Sequence, residues 1–307
     1  MSYVFGPVPS RRLGFSLGID LVPKKVCSLD CIYCQVGPTT KKTITRKEYI
    51  PLNPVVEELK KWAYEGGEAD VVTMSGNGEP TLNSKIGELL IQIKDITDLP
   101  TVVITNGTLL YRDEVRKDLL NADIVLPSLD AVTPNVFRAI NRPHRSLDIN
   151  KIIEGLIKFR DQFRGKYFLE ILFCKGINDT ERELEALYHA IEKIDPDEIH
   201  LNTVVRPPQN KRALPLTMEE LERIAKRFGK KTKIIAHFDK EHLSTALQDF
   251  EKRVLDYLDR RPATPEDLCL VFGVTNDKLM NFMDKLKDEG KVVERVYDKK
   301  LYFQIRE

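Results

Sequence analysis

Three cysteines near the amino terminus have the spacing of metal or cluster ligands. Cys27, Cys31 and Cys34 follow the pattern C-x3-C-x2-C in the run CSLDCIYC. Cysteine thiolates are the ligands of iron–sulfur clusters, and three of them can hold three irons of a four-iron cluster. The fourth iron would keep an open coordination position, which distinguishes a reactive metal site from a structural one. The spacing therefore favours a cluster that takes part in chemistry.

Zinc binding and redox-active thiols are the alternatives. Structural zinc usually has four ligands, and the five histidines, at positions 144, 189, 200, 237 and 242, do not have zinc-site spacing. A disulfide within the run would leave one thiol over. Cys174 and Cys269 lie in separate apolar segments, so we expect both to be small buried hydrophobic residues. A second cluster is therefore not expected.

The cysteine run, with Tyr33 directly before the last cysteine, resembles the signature of radical S-adenosylmethionine (SAM) enzymes. The resemblance implies that the three cysteines bind one [4Fe–4S] cluster, and that amino and carboxylate groups of SAM chelate the open iron. It also implies an electron donor such as ferredoxin or flavodoxin. Electron transfer would break the S–C5′ bond of SAM, giving methionine and a 5′-deoxyadenosyl radical that abstracts hydrogen from a substrate.

Two further segments narrow this resemblance. Residues 6–14 (GPVPSRRLG) and 34–37 (CQVG) resemble the uncharacterised single-cluster bacterial and archaeal proteins near the wyosine-type tRNA-modifying radical SAM enzymes. The wyosine-forming enzymes themselves use additional cysteines, so close functional identity with them is not expected. The superfamily resemblance covers residues 10–240.

The segments that must position these residues alternate between short β-rich runs and amphipathic stretches of helical period. This alternation is typical of parallel βαβ units. The predicted strands are residues 16–22, 69–74, 101–105, 123–126, 167–173 and 198–202, with 233–237 as a seventh. The predicted helices are residues 53–64, 84–93, 112–119, 149–163, 181–194 and 218–228. With 307 residues, the chain can form one large α/β domain and a small appendage.

Six or more such units suggest a partial or complete (β/α) radical SAM barrel, whose functional residues follow the carboxyl ends of the strands. A doubly wound sheet would place them similarly, so the choice of a barrel rests on the resemblance. The cysteine run follows the first predicted strand, and the other candidate residues follow later strands. We therefore expect them to meet at one edge of the sheet.

The second strongest motif follows the second predicted strand. Its residues, Gly76, Asn77, Gly78, Glu79 and Pro80, resemble the Gly-Gly-Glu-Pro-like loop that contacts the methionine amino group of SAM in radical SAM enzymes. Asn77 stands where that loop has its first glycine. Glycines allow close approach of backbone to a ligand. In isolation, the same residues would suggest an ordinary strand-to-helix turn.

Three other polar residues are candidates for cofactor contact. Ser128 and Asp130 resemble a segment that lies near the SAM ribose or the substrate, and such groups suit a sugar diol. Helix capping by Asp130, or by Thr133 before Pro134, is the alternative. Asn106 could equally serve turn chemistry. Tyr33 completes the predicted cofactor-binding set.

The amino-terminal region is basic. Residues 1–47 contain eight Lys and Arg but only two acidic residues, a balance of +6. Such a segment would attract an anionic ligand, for example a phosphorylated compound, a carboxylate or RNA; a solvated basic surface is the alternative. The candidate substrate residues are Arg11, Arg12, Arg142, Asn202 and Arg206.

Residues 245–307 are predicted to form a second, smaller domain after a barrel domain of residues 1–240. Helical segments at 250–258, 265–272 and 276–289, then strands at 292–295 and 301–305, resemble a winged helix-turn-helix. Residues 249–307 contain twelve basic and thirteen acidic residues, whereas DNA-reading surfaces need a clustered basic excess. DNA is therefore disfavoured. A protein, peptide or RNA contact, a cover over the barrel mouth, or dimerisation fits the segment better.

The leading hypothesis is a radical SAM enzyme acting on an anionic substrate, such as RNA or a small metabolite. A maturase or activase acting on a protein or peptide recruited by the winged segment is the first alternative, and an iron–sulfur DNA-binding regulator is the second. No apolar stretch approaches the ~20 residues that cross a bilayer, and the amino terminus lacks a signal-peptide layout. We therefore expect a cytoplasmic protein without a membrane partner.

Overall fold

A mostly parallel sheet of eight strands forms the centre of the molecule, and the computed structural model describes residues 2–10, 12–235 and 250–306. The strands are β1 (Val4–Ser10), β2 (Gly14–Ile19), β3 (Val26–Cys27), β4 (Lys41–Lys42), β5 (Val71–Met74), β6 (Thr101–Thr105), β7 (Ile124–Pro127), β8 (Lys166–Phe173), β9 (Glu198–Thr203), β10 (Thr232–Ile234), β11 (Val292–Tyr297) and β12 (Lys300–Ile305). The order in the large sheet is β1-β2-β5-β6-β7-β8-β9-β10. All neighbours are parallel except β1 and β2.

Helices connect successive strands. They are α1 (Leu52–Tyr64), α2 (Ile86–Ile96), α3 (Asp113–Leu119), α4 (Pro134–Asn141), α5 (Ile149–Gln162), α6 (Glu181–Ile194), α7 (Met218–Phe228), α8 (Phe250–Arg260), α9 (Pro265–Phe272) and α10 (Asn276–Asp288), and Pro80–Leu82 forms a turn of 3-10 helix. In the described part of the chain, no helix has both the length and the apolar character needed to cross a membrane.

The predicted α/β fold with a mostly parallel sheet is confirmed. The six predicted strands of the alternating region are all present, with ends displaced by at most three residues. The seventh, predicted at 233–237, appears as β10 over Thr232–Ile234, and positions 236 and 237 lie outside the described residues. Parallel strands are buried on both faces and are therefore largely apolar, as in β5, where all four residues are buried and only Thr73 is polar.

Besides the two-residue strands β3 and β4, the sequence prediction missed two longer elements, β1 and α4. Strand β1 contains Pro7 and Pro9, which argue against a strand in the middle of a sheet. It lies at the edge of the sheet, where a missing backbone N–H is tolerated. Helix α4 is only eight residues long and begins at Pro134. Thr133 precedes α4, as predicted for a helix cap. Its hydroxyl, however, donates to the Glu183 carboxylate at 2.6 Å and does not cap the helix.

The sheet is open within the described residues, because β1 and β10 each pair with a single neighbour. Its parallel strands all end at the same edge, and the loops that follow them meet there. Three of these loops carry candidate site residues. The cysteine loop is residues 20–43 after β2, the glycine loop is residues 75–79 after β5, and the β9 loop is residues 204–216.

The carboxyl-terminal segment, residues 250–306, has a core of its own. Helices α8, α9 and α10 and the hairpin β11–β12 enclose buried apolar side chains, among them Val254, Leu268, Leu279, Met283 and Phe303. The hairpin turns through Asp298 and Lys299, which both have positive φ, as a two-residue type I′ turn requires. Cys269, expected to be buried, is only half-buried on α9.

Polar contacts join this segment to the sheet edge. The Arg260 guanidinium lies 3.1 Å from the buried carboxylate of Asp20, which follows β2. The Tyr302 hydroxyl donates to the backbone carbonyl of Val205 at 2.7 Å. The segment is therefore tied to both the first and the last loops of the site.

The buried Asp20 predicts a pH dependence of stability. Burial raises the pKa of Asp20 from 3.8 to about 6, although Arg260 opposes the rise. A raised folded-state pKa means that this contribution to stability is full below about pH 4 and is lost as the pH rises through about 6. Two pKa units correspond to about 3 kcal/mol. The free energy of unfolding of Asp20→Asn, relative to wild type, should therefore rise by about 3 kcal/mol from pH 4 to pH 7 in urea denaturation.

The matched control is Asp161→Asn, because Asp161 lies on the exposed side of α5. A difference between Asp20→Asn and wild type that stays constant with pH would contradict the assignment.

Candidate active site

The cysteine loop is fastened by backbone hydrogen bonds to three neighbouring segments. These are the glycine loop, the end of α4 and the β9 loop. The bonds run from Lys25 N to Asn77 O (2.6 Å), from Ile32 N to Ile140 O (2.9 Å) and from Gln209 N to Cys34 O (3.2 Å). The three cysteines are thereby held half-buried at the sheet edge.

Each cysteine sulfur accepts a hydrogen bond from a different part of the fold. The donors are Asn106 Nδ2 for Cys27 (3.5 Å), Asn141 Nδ2 for Cys31 (3.3 Å) and Lys25 Nζ for Cys34 (3.1 Å). Donors to ligand sulfurs stabilise thiolate charge and tune the reduction potential of a cluster. Each of the three sulfurs therefore has a polar protein group beside it.

The donor set fits an iron–sulfur cluster. Burial raises the pKa of Cys27 to about 12 and also raises that of Cys31, whereas metal coordination deprotonates a thiol outright. Within the ranges that the structure describes, no three His, Cys, Asp or Glu side chains could hold one metal ion. A four-iron cluster does not require such convergence, because each thiolate binds a different iron.

The glycine loop packs its backbone directly against the cysteine loop. Gly76 has a φ of +106°, and a Cβ at Gly78 would lie 2.1 Å from the Val26 carbonyl oxygen. The next residue, Glu79, is buried, and burial raises its pKa. Its carboxylate accepts bonds from Thr105 Oγ1 at 2.6 Å and from the backbone N–H of Asn106 at 2.8 Å. Glu79 thus positions the residue that donates to Cys27.

Asn77 has a structural partner of its own. Its backbone N–H and its side-chain Nδ2 both donate to the Asp20 carboxylate, at 3.0 and 2.9 Å. The side chain that replaces a glycine of the family pattern therefore turns away from the cavity and toward Asp20, which also pairs with Arg260.

Asp130 lies behind the cysteine loop. One carboxylate oxygen accepts bonds from the Tyr33 hydroxyl and from Asn141 Nδ2, and the other accepts the Leu172 backbone N–H at 2.9 Å. Burial raises the pKa of Asp130 to about 6. With both oxygens engaged by protein, Asp130 is better suited to positioning Tyr33 and Asn141 than to the predicted contact with the cofactor.

A cavity of about 520 Å³ opens at the carboxyl ends of the strands. The predicted site residues that line it are Cys27, Tyr33, Cys34, Gly76, Gly78, Glu79, Asn106, Ser128, Arg12, Asn202 and Arg206. Arg12 forms a salt bridge with Glu170 at 2.6 Å, and Asn202 donates to the same carboxylate at 3.0 Å. The structure therefore brings the candidate metal, cofactor and substrate residues to one cavity.

Other predicted residues lie away from this cavity. Cys31 and Pro80 are close behind it, with Pro80 buried at the start of the 3-10 helix. Arg142 lies on the outer side of the cysteine loop, 3.7 Å from Asp30, with 40% of its side chain exposed. A direct substrate contact by Arg142 is therefore not supported by its position. Arg11 lies outside the described residues.

Sequence reasoning missed several residues at the site. Lys25 belongs to no motif, and only the fold shows that its ammonium group reaches Cys34. Asn141 directly precedes the candidate Arg142 but was not itself predicted. At the end of the short helix α4, its side-chain amide donates to Cys31. Arg260 and Arg261 line the cavity from the carboxyl-terminal segment, which the sequence resemblance assigns to a separate domain.

A larger concavity, of about 1010 Å³, lies at the opposite edge of the sheet. Its lining includes Pro100, Asp123 and Lys166, at the amino ends of β6, β7 and β8. In (β/α) folds that edge serves stability rather than catalysis. The smaller cavity beside the cysteines is therefore the candidate active site.

Comparison with known proteins identifies relatives along the whole chain. The family model for the radical SAM superfamily matches residues 21–191. A UPF0026 protein of Methanocaldococcus jannaschii is 33% identical over 99% of this chain and 96% of its own length. A protein named GTPase Obg of Brachyspira hyodysenteriae is 37% identical over 98% of this chain, but the chain spans only 45% of its length.

A solved structure supports the fold. The structure of TYW1 with a lysine-pyruvate adduct bound aligns with a TM-score of 0.53 at 22% identity. The alignment covers 69% of this chain and 72% of that one. The similarity concerns the fold alone.

The contact between Lys25 and Cys34 predicts a change in cluster potential. A positive charge beside a ligand sulfur stabilises the more negative, reduced cluster. Lys25→Met should therefore lower the reduction potential of the reconstituted [4Fe–4S] cluster, as measured by redox titration followed by electron paramagnetic resonance. The neighbouring Lys24→Met is the matched control, because the Lys24 ammonium pairs with Asp259 instead of a cysteine. Equal potentials for the two variants would show that the ammonium does not act on the cluster.

Proposed function

Because this chain belongs to the radical SAM superfamily, we propose that it reductively cleaves SAM and abstracts hydrogen from an anionic substrate held in the 520 Å³ cavity. It is an enzyme with a [4Fe–4S] cluster and SAM as cofactors. The observation that carries the proposal is the continuity of one cavity from the cysteines to Arg12 and Arg206. RNA and small metabolites both carry suitable anionic groups.

Different residues of the cavity would bind the cluster and SAM. When bound, the cluster and SAM supply a 5′-deoxyadenosyl radical. Cys27, Cys31 and Cys34 would hold the cluster, and the backbone of Gly76 and Gly78 would border SAM. Ser128 lies on the cavity wall, where its hydroxyl can bond a ribose. The buried walls would exclude water and competing hydrogen donors.

The open, mostly parallel sheet is best interpreted as a partial (β/α) barrel occupying residues 1–240. Residues 245–307 would form a winged-helix-like domain, which is supported by the three helices, the hairpin and the separate core. Among the roles considered for it, covering the cavity mouth is favoured. Tyr257, Arg260, Arg261 and Tyr302 of this segment line the cavity.

An electron donor such as flavodoxin would approach the outer side of the cysteine loop. Lys41 and Lys42 are exposed there and form β4, in which Lys42 is the partner of Cys27 in β3. Arg142, whose side chain is partly exposed, is adjacent, because Lys42 Nζ donates to the backbone carbonyl of Arg142 at 2.9 Å. A basic surface directly over a cluster ligand suits an acidic reductant protein.

Removal of the predicted ligands tests the proposed chemistry. Cys27→Ala, Cys31→Ala and Cys34→Ala should each abolish formation of 5′-deoxyadenosine after anaerobic reconstitution with iron and sulfide, because each removes one iron ligand. Cys269→Ala should retain activity, since Cys269 lies on α9 outside the cavity. The product is measured by mass spectrometry with dithionite and SAM. Wild-type protein with an intact cluster that forms no 5′-deoxyadenosine, with or without candidate substrates, would refute the proposal.

Charge reversal tests the reductant surface. The double variant Lys41→Glu, Lys42→Glu should slow cluster reduction by flavodoxin by about tenfold at low ionic strength, because steered association depends on complementary charge. The rate of cluster reduction by dithionite, monitored as the loss of cluster absorbance, should be unchanged. Lys151→Glu, Lys158→Glu on the exposed side of α5 is the control. Equal slowing by both double variants would place the docking surface elsewhere.

A further inference from the structure

Two arginines from different parts of the chain face the same cavity. Arg206 lies on the β9 loop, between Val205 and Pro207, and its side chain is only 14% exposed. Arg261 directly follows α8 of the carboxyl-terminal segment, and its guanidinium donates to the Tyr257 hydroxyl at 2.5 Å. Both line the cavity that contains Cys27 and Cys34. Desolvation lowers the pKa of Arg261, and the nearby charge of Arg206 lowers it further.

The positive charges of the cavity are not fully compensated. Five basic side chains line it, and three have acidic partners. The pairs are Arg12 with Glu170 (2.6 Å), Arg260 with Asp20 (3.1 Å) and Arg206 with Asp267 (3.6 Å). Arg261 and Lys300 form no salt bridge with any described residue. The carboxyl of Glu79, which also lines the cavity, can offset only one of them, so an excess of one positive charge remains even when Glu79 is ionised.

Unsatisfied hydrogen-bond donors accompany this excess. The Nε atoms of Arg206 and Arg12 are both buried, and neither has a hydrogen-bond partner among the residues that the structure describes. A buried charged donor without an acceptor is costly, and natural proteins rarely leave one. An oxygen-rich anion in the cavity would supply the missing acceptors.

We propose that Arg206 and Arg261 together bind a phosphate group of the substrate, so that the carboxyl-terminal segment supplies part of the substrate site. A phosphate monoester carries a charge of about −1.5 to −2 at neutral pH and three acceptor oxygens, so it can accept hydrogen bonds from both guanidinium groups at once, whereas a carboxylate has only two oxygens and a charge of −1. Guanidinium groups bind phosphate through paired N–H donors. That the phosphate belongs to a substrate rests on the activity proposed above, whereas the anion site does not depend on it.

The β9 loop fixes the distance between this anion site and the cysteines. At one end, Val205 accepts a hydrogen bond from Tyr302 of the hairpin, and Arg206 faces Asp267 of α9. At the other end, the backbone N–H of Gln209 donates to the Cys34 carbonyl at 3.2 Å. A phosphate held by Arg206 would thus lie three residues along the chain from a direct contact with the cluster-binding loop.

The anion site is tested by titrating inorganic phosphate into the reconstituted holoprotein by isothermal calorimetry. Wild-type protein should bind phosphate saturably. Arg206→Gln and Arg261→Gln should each weaken binding by about tenfold or more, because each removes charged hydrogen bonds. Arg223→Gln, the same change on the exposed side of α7, should bind like wild type. Acetate should not compete at equal concentration.

Several outcomes would overturn the proposal. These are absence of saturable phosphate binding to wild type, wild-type affinity in both Arg206→Gln and Arg261→Gln, or acetate competition as strong as that of phosphate. Arg261→Lys keeps the positive charge but not the paired N–H donors, and it should bind phosphate with intermediate affinity. This variant provides a test even if Arg261→Gln is destabilised. Because the titration does not depend on SAM cleavage, wild-type protein that forms 5′-deoxyadenosine but does not bind phosphate would refute only the anion site.

Discussion

Backbone hydrogen bonds between the cysteine loop and three neighbouring segments hold the site together. That loop has little regular structure, with only the two-residue strands β3 and β4 inside it. Some of the residues that hold the loop also contact the cysteine sulfurs. Asn141 accepts the Asp30 N–H through its backbone carbonyl and donates to Cys31 through its side chain. The contacts that hold the loop are therefore the same contacts that give the thiols their polar surroundings.

The cavity has a shared side and a distinctive side. The residues that match the superfamily, 21–191, include the cysteine loop, the glycine loop and Ser128. The β9 loop and the carboxyl-terminal segment lie beyond that match, and they contribute Arg206, Arg260 and Arg261. The cofactor-binding residues proposed above thus lie within the superfamily match, whereas these three arginines come from parts of the chain that the family model does not cover. Substrate choice is expected to reside in the part of the cavity that the arginines line.

The sequence predicted the parts of this site that depend on local pattern. Cysteine spacing, the glycine loop and the alternation of strands and helices all lie within short windows, and the structure contains the corresponding elements. Strand β1 was missed because its prolines are tolerated only at a sheet edge, which is a property of the tertiary fold. Lys25 and Asn141 were missed as sulfur donors because the direction of a side chain depends on packing between distant segments. Asp130 was predicted from its likeness to a family segment, yet neighbours from β8 and α4 occupy its carboxylate.

Asp20 limits the modularity of the chain. Its carboxylate accepts hydrogen bonds from both Asn77 of the glycine loop and Arg260 of the carboxyl-terminal segment, whose side-chain nitrogens share the oxygen Oδ2. A carboxyl-terminal segment grafted from another protein would have to bring a cation to the place of Arg260, or it would strand a buried carboxylate beneath the graft. Exchanging the carboxyl-terminal segment would therefore also disturb the glycine loop, which is proposed to border SAM.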